Sequence, residues 1–259
     1  MTGPIGGGIR RQPQCSFRRD AARAIGEGGE DAGMRRSAVN AIIREADVRS
    51  FGYVLPPFAY WSPEAMLARR AGIGGILAAR LGWDITDYGQ GRFDALGLFL
   101  FTVRNGSEAD LRRGGGMCYA EKIMISRKEQ LSPMHRHIVK AEDIVNRGGG
   151  TLALELFESD AAGHVDRRAE VAVATDGVRR RLAGGSVLRL EPGESVTLMP
   201  GTWHAFWAER ADVLIGEVST VNNDLADNIF AEPIGRFAEI EEDEPPLHLL
   251  VSDYGRWFD

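Results

Sequence analysis

The chain has 259 residues, of which 44% are hydrophobic, and a formal net charge of −6. No stretch approaches the ~20 apolar residues of a membrane span, and the acidic balance gives no general electrostatic reason to bind nucleic acid or a membrane surface. Two cysteines, Cys15 and Cys118, make neither a zinc-type spacing nor a disulfide framework, which fits a reducing, cytoplasmic setting.

Residues 1–33 are rich in Gly and Arg and poor in large apolar side chains, and read as a disordered N-terminal extension. Glu27, Glu30 and Asp31, with no apolar h-region, argue against a secretory signal. Residues 34–259 read as a single domain that opens with a helical segment over 34–90. Within it, 35–47 predicts a short amphipathic helix with Val39, Ile42 and Ile43 on one side. Ser62 suits an N-cap, Pro63 the first helical position and Glu64 the positive helix end. A helix from there to about Arg80 is expected, loosened by Gly72, Gly74 and Gly75.

Beyond residue 90 the texture changes. Short β-branched or alternating runs at 95–106, 119–137, 150–158, 167–177, 186–209 and 211–221 are broken by Gly, Pro, Asp or Asn. Such spacing predicts a mainly β sandwich or barrel. Gly148-Gly149-Gly150 lacks the Lys-Ser/Thr of a phosphate loop; it is expected to end a helical turn at 140–146 and turn the chain into the next strand. Five acids between Glu239 and Glu244 predict a solvated loop.

The chain spends two of its five histidines at His135 and His137. Side chains on a strand alternate faces, so both imidazoles project to one side. A turn can bring Glu142 back toward them, and His204, in the strand–turn segment PGTWHAFW, can complete the set. Three neutral imidazoles and a carboxylate suit Mn, Fe, Co, Ni or Zn. His164 and His248 match no motif and are read as structural.

At these residues the chain resembles the cupin superfamily. His135-x-His137-x4-Glu142-x6-Gly149 fits its first motif, except that Glu129 stands at the leading glycine; Gly193, Gly201 and His204 fit the second. Segments 56–64, 82–89, 119–125, 142–150, 216–230 and 232–250 are similar to the D-lyxose ketol-isomerase family of cupins, over about Met34 to Tyr254. Arg136 and Ile138 stand where that family is expected to carry aromatic residues. The resemblance implies a jelly-roll-like cupin β-barrel with the N-terminal helices packed outside. It implies a divalent metal, usually manganese, with Co, Fe, Ni or Zn as other fits. It also implies interconversion of aldoses and ketoses such as lyxose and xylulose or mannose and fructose, in a homodimer.

A proton-transfer isomerase needs a carboxylate base over C1 and C2. Glu217, in IGEVS, is the choice for that base, with a strand-edge surface glutamate as the alternative. Lys122 lies in the apolar run AEKIMI and shares a face with Met124, opposite Ile123 and Ile125; it either faces solvent or stabilises enediolate charge. Asp227 and Arg236 are expected to bind substrate oxygens or to form a salt bridge. Trp61 is expected to stack on the sugar or to pack its helix onto the barrel. The same four-ligand set also serves an iron-dependent oxygenase or a non-catalytic carbohydrate-binding cupin, because the fold does not choose the reaction.

Overall fold

The β-branched and aromatic runs settle on pleated, buried surfaces. In the computed structural model, which describes residues 33–46 and 48–258, they form β1 (Met34–Arg35), β2 (Gly82–Thr86), β3 (Leu98–Asn105), β4 (Tyr119–Ser126), β5 (Leu131–His137), β6 (Glu142–Ser159), β7 (Val165–Asp166), β8 (Glu170–Thr175), β9 (Val178–Ala183), β10 (Ser186–Leu190), β11 (Ser195–Leu198), β12 (Trp203–Thr220), β13 (Asn228–Phe230) and β14 (Ile240–Glu241). The extension expected to be disordered lies outside the described residues, apart from Gly33.

Two long antiparallel strands, β6 and β12, organise the domain. The half of β6 that begins at Glu142 pairs with Val213–Ser219 of β12. That pair continues into β4, β3 and β2 on one side and β11, β8 and β9 on the other. The other half of β6 pairs with Trp203–Glu209 and is flanked by β10, while β5 and β13 lie beyond β12. Side chains from both halves line one cavity, as in a jelly roll. The hydrogen-bonded path from β2 to β9 has two ends and does not close into a ring.

The bend between the halves lies at Gly148–Gly150. No helical turn precedes these glycines: β6 runs straight through them from Glu142, correcting the expected turn at 140–146. The reason is local. Gly149 has φ +97°, and a Cβ there would collide with the Asp212 carbonyl, so the glycines act as a bulge that lets β12 approach. Asn146 clamps the bend, donating to the Gly150 (3.0 Å) and Leu190 (2.9 Å) carbonyls and accepting from Gly148 N (3.0 Å).

The N-terminal helix forms over Arg36–Glu45 and buries Val39 and Ile43 in an apolar cluster with Trp83, Phe99 and Phe101. The acidic run expected as a solvated loop instead receives this helix. Glu242 accepts from Arg36 (2.7 and 2.9 Å), Asp243 from Ser37 and Glu244 from Asn40 (2.7 Å). The helix expected from Ser62 to about Arg80 is split into Pro63–Leu67 and Gly74–Ala78: the run breaks in the turn that contains Gly72, and Gly74 and Gly75 open the second piece. Its start is as expected: Ser62 Oγ accepts from Ala65 N at 3.2 Å. No helix among the described residues is long and apolar enough to cross a membrane.

Candidate active site

Register brings the histidines together. His135 and His137 share a face of β5, and His204 on β12 pairs directly opposite His135. The four-residue connection 138–141 returns the chain so that Glu142 opens β6. Nitrogens of His135, His137 and His204 all lie within 4.8 Å of one another. Glu142 Oε1 stands 3.1 Å from His204 Nε2 and 3.4 Å from His137 Nε2.

The protonation of these rings follows from their partners. Nδ1 of His135 faces the Pro133 carbonyl at 2.8 Å, and Nδ1 of His204 faces the Thr202 carbonyl at 3.1 Å. A carbonyl only accepts, so each Nδ1 carries the hydrogen and each neutral ring keeps a lone pair on Nε2. Burial, then the neighbouring rings of His204 and His137, hold His135 well below the ordinary value of 6.5. Burial, and next the Lys140 charge, lower His137 as well. Burial alone would raise Glu142, but Lys140 and then His137 hold it well below its ordinary 4.5.

This donor set fits a divalent cation. Both ring nitrogens of His137 and Oε1 of Glu142 are buried with no hydrogen-bond partner. Orphaned atoms of this kind are costly unless something pairs with them, and nitrogen–oxygen sets of this composition bind first-row metals. His135, His137 and His204 could therefore hold such an ion, with Glu142 beside them.

A second group of charges lines the same cavity. Lys140 Nζ bridges Glu142 Oε2 (2.6 Å) and Glu217 Oε1 (2.9 Å), and all three side chains are buried. Across the strands, Glu217 pairs with Lys122 of β4, whose Nζ lies 3.8 Å from Glu217 Oε1. Lys122 also donates to Asn222 Oδ1 (2.7 Å) and Asp224 Oδ1 (3.2 Å). As alternation requires, Lys122 and Met124 face the cavity while Ile123 and Ile125 pack into the apolar cluster behind. Arg236 Nη2 lies 3.3 Å from Asp224 and 3.5 Å from Asp84; its Nη1 is buried without a partner. Burial would raise Asp224, but Lys122 and Arg236 hold it well below its ordinary range. Burial raises Asp84. Tyr88, which hydrogen-bonds Ser132 Oγ at 2.9 Å, and Phe230, 5.8 Å from the His135 ring, close the wall.

Two residues expected as substrate contacts sit differently. Asp227 accepts from the backbone N–H groups of Ile138 (2.9 Å), Val139 (2.8 Å) and Lys140 (2.9 Å). Trp61 is not among the residues lining this cavity. It packs with Met66, Ile73 and Leu249 and edges onto Phe58, the helix-packing alternative. His248 supports it, facing the Trp61 carbonyl through Nδ1 at 2.9 Å.

Sequence reading missed Lys140, Asp224 and Asp84. Lys140 had one signal, a lysine two residues before a ligand-type glutamate. The two aspartates had none, because the cations that mark them, Lys122 and Arg236 for Asp224 and Arg236 for Asp84, are brought to them only by the fold.

The family model for D-lyxose isomerase matches residues 34–254. The chain belongs to the D-lyxose isomerase family. Membership makes it an isomerase. The chain is 46% identical over 229 residues to the D-lyxose/D-mannose isomerase of Serratia proteamaculans, covering 86% of this chain and 99% of that relative. It is 45% identical over 228 residues to the D-lyxose/D-mannose isomerase of Escherichia coli O157:H7, covering 85% and 98%. Among solved structures it is similar to the L-ribose isomerase of Acinetobacter sp. DL28 in complex with L-ribose, with TM-score 0.55, 15% identity and coverage of 82% and 100%. The L-ribose isomerase of Cellulomonas parahominis with L-psicose gives TM-score 0.50 at 17% identity, with 81% and 99% covered. At such identities the structural likeness shows the fold alone.

Proposed function

We propose that the chain is a metal-dependent aldose–ketose isomerase that interconverts D-lyxose and D-xylulose, with D-mannose and D-fructose as a second pair. The observation that carries this reading is the meeting, in one cavity, of a histidine cluster with Glu142 and of Glu217 held between two lysines. The names of the Serratia and Escherichia relatives support the sugar class.

His135, His137, His204 and Glu142 would hold the ion. When bound, it supplies Lewis acidity that polarises a carbonyl and acidifies the neighbouring C–H. The remaining work falls to the protein. Glu217 is the base that takes the proton from one of C1 and C2 and returns it to the other, by way of a cis-enediol, while a hydrogen shifts between O1 and O2. Lys140 and Lys122 fix its carboxylate and offset negative charge that develops on the sugar oxygens. Arg236, anchored through Nη2, has Nη1 available to donate to a sugar hydroxyl. Manganese as the ion and a homodimer are what the family resemblance adds to this reading, and a cytoplasmic setting is what the two cysteines, whose spacing makes no disulfide framework, add.

Metal-stripped protein resupplied with manganese, offered a panel of pentoses and hexoses in heavy water, tests the proposal. Aldose–ketose exchange should proceed without oxygen and place solvent deuterium at C1 or C2. E217Q should bind metal but lose that exchange; normal turnover by E217Q would reassign the base.

A further inference from the structure

The chain between His137 and Glu142 is short, and it has to deliver two charged side chains accurately. Lys140 must reach both Glu142 and Glu217, and Glu142 must face two imidazoles. Residues 138–141 are neither helix nor paired strand, apart from the β6 start that follows them. Three successive N–H groups at 138, 139 and 140 therefore lack a ladder partner. Asp227 supplies acceptors for all three, Oδ1 for the first two and Oδ2 for the third.

Register explains why this aspartate stands there. β13 pairs with β5 so that Asn228 is opposite His137 and Phe230 opposite His135. Asp227 immediately precedes β13, and so stands beside the chain just past His137, where β5 ends. Its own N–H is tied to the Asn223 carbonyl at 3.0 Å, and the side chain is buried. A charged carboxylate on a row of backbone N–H groups is a strong, directional clamp.

We propose that Asp227 is a positioning residue: seated on the amides of 138–140, it sets the turn that places Lys140 between Glu142 and Glu217. The inference rests on the reading of Lys140, Glu142 and Glu217 as reaction-centre groups. It differs from a role in gripping sugar directly, because its two oxygens are already engaged by backbone.

An asparagine is nearly isosteric but has one accepting oxygen, so D227N turns an NH2 group toward at least one N–H. Two measurements test the proposal. The first is hydrogen–deuterium exchange of the peptide spanning 138–140 in metal-free protein, read by mass spectrometry. The second is steady-state turnover with manganese present. D227N should exchange these amides at least tenfold faster, and lose at least tenfold in kcat while KM stays within twofold. D227E keeps the charge on a longer arm and should fall between wild type and D227N in both readouts; it also serves if D227N fails to fold. Unchanged exchange in the variants would overturn the proposal. So would a raised KM at constant kcat, which would place Asp227 on the sugar. Wild-type protein that neither exchanges sugar protons nor turns over would instead sink the isomerase reading, whatever the amides do.

Discussion

Nζ of Lys140 lies 2.6 Å from Oε2 of Glu142, although a single residue separates them in the chain. Both side chains are buried, and Lys140 also holds Glu217 at 2.9 Å. The oxygen of Glu142 that faces the histidines is thus the one Lys140 does not hold. One carboxylate serves two sub-sites, and one lysine ties the histidine cluster to Glu217.

Removing that lysine tests the tie. K140M leaves two buried carboxylates without their shared cation, and breaking a buried ion pair from one side costs about 3–5 kcal/mol. The metal-free variant should lose stability on that scale in urea denaturation and lose turnover as well. A loss under ~1 kcal/mol would mean that solvent already screens the cluster.

Backbone conformation yields a pair of predictions of opposite sign. Glu129, at the position where the cupin motif has glycine, has φ +62°. The left-handed region costs an L-residue roughly 1–2 kcal/mol, and glycine returns about 0.5–1 kcal/mol of that as chain entropy. E129G should therefore stabilise the protein by up to about 1 kcal/mol. G149A, at φ +97° and against the Asp212 carbonyl, should destabilise by more than ~2 kcal/mol. Equilibrium denaturation of the two variants decides both signs.

The histidines set an acid limb. His135 and His137 are lowered below 6.5 by burial, so the unfolded chain takes up their protons first as pH falls. Stability of the metal-free protein is then complete above 6.5 and declines as pH drops from that value toward the folded ones. Each extra proton bound by the unfolded chain steepens the decline by about 1.4 kcal/mol per pH unit. Glu142 and Asp224, lowered from 4.5 and 3.8, extend it as pH falls below those values. Denaturation midpoints from about pH 8 to about pH 5 should show the first limb; a flat profile would contradict neutral, buried imidazoles.

Much of this site was legible in the sequence because strand alternation is a strict rule. His135 with His137, and Lys122 with Met124, each share a face for that reason, and cupin spacing drew His204 and Glu142 to the same place. The strands were legible from their β-branched runs. Bends were not: Gly148–Gly150 looks like a helix end in sequence, and only the crowding by Asp212 shows that it folds a single strand across two halves. The acidic run Glu239–Glu244 looks like a solvated loop until Arg36, two hundred residues earlier, is placed on it. Lys140 escaped notice because a lysine in a turn ordinarily faces water, and this one is buried by carboxylates that come from two strands.

The central claim is that His135, His137, His204 and Glu142 hold one divalent ion. Calorimetric titration of metal-stripped protein with manganese tests it most directly, wild type against H204A. One ion per chain is expected for wild type. Affinity in H204A should fall by more than the 10–100-fold that loss of an outer-shell partner costs. Equal affinity and stoichiometry in the two proteins would contradict the account.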